Sequence, residues 1–82
     1  MMFQLVYEND GVVLEAHTDI IKSRFEWVRL RKFWTEGDAK LFRMTRSPLM
    51  TDNEVKMLAR QYESGKRYMF NGRRMLTSRC FA

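Results

Sequence analysis

One histidine and one cysteine bound the catalytic chemistry open to this chain. His17 stands two residues from Glu15, a spacing that puts both on the same face of a strand. A small ribonuclease could use such a pair as general base, with Arg or Tyr groups stabilising the phosphorane charge. The simpler expectation is a histidine that ends a strand at the surface. A thiol–imidazole nucleophile would need Cys80 held rigidly beside His17, and a residue third from the end is prone to fraying. One His and one Cys do not furnish the ligand set of a zinc site, and no acids recur at the spacing of a calcium loop. Gly11, Gly37, Gly65 and Gly72 are each isolated, so no phosphate-cradling glycine loop exists. The expectation is a protein that is not an enzyme and holds neither metal nor cofactor.

Binding chemistry remains, and it rests on arginine. Ten of the fifteen cations are Arg, the side chain suited to bidentate contact with phosphate or carboxylate. The formal net charge of +5 is unevenly spread. Residues 1–21 carry Glu8, Asp10, Glu15 and Asp19 with no Lys or Arg, a net −4. Residues 22–46 reach +5, residues 47–65 come to −1, and residues 66–82, which hold no acid, add +5. Such asymmetry fits a molecule with an acidic edge and a basic face. It also fits acidic and basic strands that neighbour each other and neutralise across the sheet.

Two partner classes fit the basic segments. Arg29, Arg31, Lys32, Arg43 and Arg46 interleave with Phe25, Trp27, Phe33, Trp34 and Phe42, and Lys66, Arg67, Arg73 and Arg74 sit beside Tyr68 and Phe70. A sheet face that stacks bases on aromatics and meets phosphates with cations holds single-stranded RNA or DNA in this way. Trp27, Phe33 and Phe42 are expected in the core, which leaves Trp34 and Tyr68 as the exposed stacking candidates. The alternative is a small regulator or inhibitor, of the kind phages and mobile elements carry, that docks its basic face on an acidic protein surface. Arg, Met and aromatics are enriched at interface cores, and seven Met are present. Core filling is the plainer role for Met57, Met69 and Met75. An exposed hairpin edge and a thin core would both invite a homodimer.

These side chains have to be positioned by 82 residues, enough for one small domain that buries only about 60–65% of the surface of its unfolded chain. The antiparallel alternation of Phe3, Leu5 and Tyr7, the turn at 8–11 and the β-branched run from Val12 predict a first hairpin. Residues 18–34 show no single apolar stripe on a helical wheel, and the aromatic-rich run from Phe25 to Trp34 reads as a strand. Thr35 to Asp38 reads as a turn and Lys40 to Arg46 as the returning strand of a second, basic hairpin closed by Pro48. Thr51 with Glu54 forms a capping box, Met50 with Val55 a hydrophobic staple, and Val55, Leu58, Ala59 and Tyr62 one stripe, which predicts a helix over about 51–64 ended by Gly65. Asn71-Gly72 predicts a last hairpin in which Phe70 faces Arg73 and Met69 faces Arg74. The expected fold class is therefore α+β: a single domain, 1–82, with an antiparallel sheet built mainly of hairpins and packed by one helix. No apolar run approaches the length of a bilayer span, no secretory signal is recognisable, and one cysteine suits a reducing compartment. A soluble cytoplasmic protein without a membrane partner is expected.

Overall fold

A computed structural model describes residues 1–65 together with the backbone of two short strands at 68–70 and 74–75. The fold is α+β, with strands β1 (Met2–Glu8), β2 (Gly11–Thr18) and β3 (Glu26–Phe33) forming an antiparallel meander. Helices α1 (Glu36–Thr45) and α2 (Asp52–Glu63) pack against it, joined by a short 3-10 turn, Ser47–Leu49, that contains Pro48. Strand β4 (Tyr68–Phe70) then pairs in parallel with the end of β3, and β5 (Arg74–Met75) pairs antiparallel with β4.

The first hairpin follows its period-2 pattern, with Leu5 opposite Leu14 and Glu8 opposite Gly11 across a two-residue connection. Gly11 is required there by close approach. A Cβ at this position would lie 2.5 Å from the carbonyl oxygen of Phe33 on the neighbouring strand. One face of the sheet, the inner face, carries Val12, Leu14, Ala16, Val28 and Phe33. These residues form a single core with Ala39 and Phe42 of α1 and with Val55, Leu58 and Ala59 of α2.

Helix α2 forms where the sequence places it. The Thr51 hydroxyl accepts from the Glu54 amide, the Glu54 carboxylate accepts from the Thr51 amide, and the expected stripe of Val55, Leu58, Ala59 and Tyr62 is buried. Met50 packs on the core, as a staple residue should.

Residues 40–46 depart from the expected strand, since Lys40 to Thr45 lie inside α1. Thr35 caps this helix by accepting from the Asp38 amide, Glu36 and Asp38 occupy its first turn, and Arg43 lies in its last. Ala39 and Phe42, three residues apart, bring one helical face onto the sheet, whereas a strand would have placed them on opposite faces. The last hairpin also differs, by one residue of register: Phe70 pairs with Arg74 and Met69 with Met75. The Asn71-Gly72 turn itself lies outside the described residues. No helix among the described residues is long and apolar enough to cross a membrane.

Candidate nucleic-acid interface

The sheet's outer face, opposite the shared core, carries the side chains of Gln4, Glu15 and Arg29 in one cross-strand row, and Val6, Val13 and Lys32 in the next, with Val13, Glu15 and Lys32 buried. Directly opposed residues in an antiparallel sheet share a face, so acids from the first hairpin meet cations from β3. Arg29 donates to Glu8 at 2.6 Å and to the Tyr62 hydroxyl at 3.0 Å, and its Nε lies 3.5 Å from Glu15. Lys32 pairs with Glu8 at 3.1 Å and with Asp10, and Gln4 donates to Glu15 at 2.8 Å. Lys32 and Arg29 together hold the Glu8 carboxyl below its ordinary value, while Tyr62 and Glu8 push the Arg29 guanidinium upwards. Here the acidic 1–21 segment neutralises the basic strand through a net of bonds within the sheet.

This arrangement separates the cations that the sequence groups together. Arg29 and Lys32 belong to the outer-face network. Arg31 points inward, opposite Leu14. It is buried and donates to Gln61 of α2, and burial pushes its guanidinium down to about 10, which leaves it charged at neutral pH. Arg43 is exposed on α1, and Arg46 at the end of that helix pairs with Glu54 at 3.1 Å and lies over the Phe42 ring. These last two therefore stand on the helical layer, across the sheet from Arg29 and Lys32. Trp34 is partly exposed just beyond β3. Lys66, Arg67 and Arg73, and the side chains of Tyr68 and Arg74, lie outside the described residues.

The structure assembles a different set of aromatics. Trp27, expected in the core, stands on the outer face opposite His17 and remains 39% exposed. Its ring centroid lies 4.9 Å from that of His17, and Phe25, 68% exposed, also stacks on His17 at 5.7 Å. Phe33 and Phe42 do enter the core, with centroids 5.2 Å apart. Met57 is half-exposed and fills no core gap; the side chains of Met69 and Met75 lie outside the described residues.

Trp27 faces outward because the β2–β3 register shifts between Leu14 and Glu15. Trp27 and Arg29 share the outer face below that irregularity, while Arg31 and Phe33, of the same odd numbering, share the inner face above it. A bulge changes which residues face the core, and strict alternation along a strand does not reveal it.

Around the aromatic cluster, the β2–β3 connection supplies Lys22 and Arg24, both 3.1 Å from Glu26, with Lys22 and Arg24 themselves well exposed. An open cleft of about 450 Å³ adjoins Trp27 and is bordered by Lys22, Arg29, Tyr62, Glu15 and Glu63. It therefore presents a flat indole, cations and carboxylates together. Among the described residues no group of three or more His, Cys, Asp or Glu side chains is placed to hold a metal ion. No protein-family model, curated protein or solved structure matches the chain, so the reading of this face rests on its own residues.

Proposed function

We propose that the protein binds single-stranded nucleic acid, with bases stacking on the Phe25–His17–Trp27 cluster. The observation that carries this reading is a group of three neighbouring rings where β2 and β3 leave the sheet, two of them substantially exposed. Exposed aromatic surface of this kind costs a monomer solubility and has its use when a planar partner covers it. Base–aromatic stacking contributes about 1–3 kcal/mol per base and tolerates any base, because every base has a π-face. Lys22 and Arg24 stand beside the rings to meet the phosphates. Their exposed pairs with Glu26 are worth little in water, so exchanging a carboxylate for a phosphate costs little. Arg29 and Lys32 serve this reading by fixing the face, since their charges are already met by Glu8, Asp10 and Glu15.

Fluorescence anisotropy of labelled single- and double-stranded oligonucleotides, titrated at several salt concentrations, tests the proposal. Single strands should bind more tightly than duplexes, and binding should quench Trp27 more than Trp34. A Phe25→Ala/Trp27→Ala variant should lose about 10- to 1000-fold in affinity if one or two bases stack there. No binding at low salt, or binding that ignores this variant, would overturn the assignment.

A second reading, docking on an acidic protein surface, draws on α1. Leu41 and Met44 are exposed three residues apart on this helix, 59% and 75%, next to Lys40 and Arg43. Apolar anchors ringed by cations suit a partner with apolar pockets ringed by acids. Nucleic-acid binding that fails in the titration while Leu41→Asp/Met44→Asp abolishes the protein's cellular associations would favour this second surface.

A further inference from the structure

Strand β1 ends the sheet, and among the described residues no strand pairs with its outer edge. Natural edge strands are usually shielded by lysine, proline, a bulge or shortness. This one runs seven residues, Met2–Glu8, contains neither Lys nor Pro, and pairs with β2 without interruption. Its inward row, Phe3, Leu5 and Tyr7, is incompletely covered: Phe3 and Leu5 touch the core yet remain half-buried, and Tyr7 is 55% exposed.

We infer that β1 is a dimerisation edge that pairs antiparallel with β1 of a second copy, centred on Leu5. A two-fold axis perpendicular to the sheet keeps the inner face of one copy continuous with that of the other, so paired residues must have the same parity. The register centred on Leu5 alone uses the whole strand. It sets Leu5 against Leu5, Phe3 against Tyr7, Gln4 against Val6 and Met2 against Glu8 of the second copy. Each inner pair then joins apolar or aromatic side chains that the single copy leaves half-covered, and cross-strand aromatic pairs stabilise a sheet. No like charges stand opposite one another. Glu8, the one charged residue of the strand, stands opposite the uncharged Met2 of the second copy, so no charge opposes another across the seam. A strand that complements itself in apolar row, aromatic pairing and charge fits a copy of itself better than an arbitrary extended peptide.

The Met2–Glu8 pairing gives this register its test. Met2 is 60% exposed, so substitution there leaves the fold intact. Sedimentation velocity across a concentration series should show a monomer–dimer equilibrium for the native chain. Met2→Glu places two like-charged pairs in the dimer and should weaken association, and Met2→Lys places two opposite pairs and should strengthen it, each by roughly 2- to 30-fold. Hydrogen exchange of the 2–8 amides should slow as the dimer fills. A chain that stays monomeric at millimolar concentration overturns the inference. So does a dimer whose stability ignores both substitutions, or one whose 2–8 amides exchange as fast as those of the monomer.

Discussion

The Glu8 carboxylate is the residue on which the outer face turns, because it accepts from Arg29 and Lys32 at once. Both cations lower its proton affinity in the folded state. A carboxyl whose folded pKa lies below its unfolded value contributes stability that is complete above the unfolded value, near 4.5, and is lost as pH falls through the folded one. Glu26, beside Lys22, and Glu36, bonded to Tyr7 and Lys40, are shifted the same way. Acid should therefore destabilise the domain below about pH 4.5, with the unfolded chain taking up more protons than the folded one. Glu8→Gln should be less stable than the native chain at neutral pH, fall more gently in acid, and converge with it at the lowest pH. Urea unfolding followed at a series of pH values checks this, and parallel acid limbs for the two proteins would show that Glu8 is not a main contributor. Tyr62 joins the same network from α2, tying it to the helical layer through the Arg29 guanidinium.

At the scale of elements, segments whose signals are local are legible in the sequence and those decided by distant neighbours are not. The first hairpin and α2 can be read because alternation, capping box, staple and stripe lie within a dozen residues and agree with one another. The α1 segment carries a cap signal too, in Thr35 and Asp38, but Gly37 suggests a turn, and the mixed polar and apolar run of residues 40–46 that follows it suits a returning strand as well as a helix. What decides it is tertiary: Ala39 and Phe42 reach the core only from one face of a helix. The aromatic site is hidden for a related reason. Its residue types are plain in the sequence, but the register irregularity that turns Trp27 outward and Phe33 inward is a property of strand pairing. Where β2 meets β3 the packing is tight enough to test by substitution. The Cβ of Gly11→Ala would collide with the Phe33 carbonyl, a backbone atom that cannot swing aside. The strands must part, at a cost of about 1–3 kcal/mol, with a lowered Tm and unchanged helix content. A Tm equal to that of the native chain would mean that β3 moves freely against the hairpin.

Across the whole molecule, the charge divides between two parts. Residues 1–65 hold ten cations and ten acids, so their formal charge is zero, and the entire +5 comes from Lys66, Arg67, Arg73, Arg74 and Arg79. A sheet face whose cations are met by its own acids can fix and stack a base, but it supplies little of the long-range attraction that a polyanion feels. If the aromatic cluster and the tail serve one ligand, their contributions separate by salt. Cations that meet phosphates on a single strand release counterions, and the slope of log affinity against log salt changes by about 0.7 for each phosphate that ceases to be neutralised. Replacing Lys66, Arg67, Arg73 and Arg74 together with Ala should therefore flatten the slope by up to about 3, with the greatest weakening of affinity at low salt. Phe25→Ala/Trp27→Ala should lower affinity by a similar factor at every salt concentration and leave the slope as it was, because stacking releases no ions. The crossed result, a slope set by the rings and unaffected by the tail, would separate the net charge from binding and leave it to keep the protein soluble. Pairing through β1 would bring two such faces onto one continuous sheet, and a long oligonucleotide would then bind more tightly than the sum of short ones.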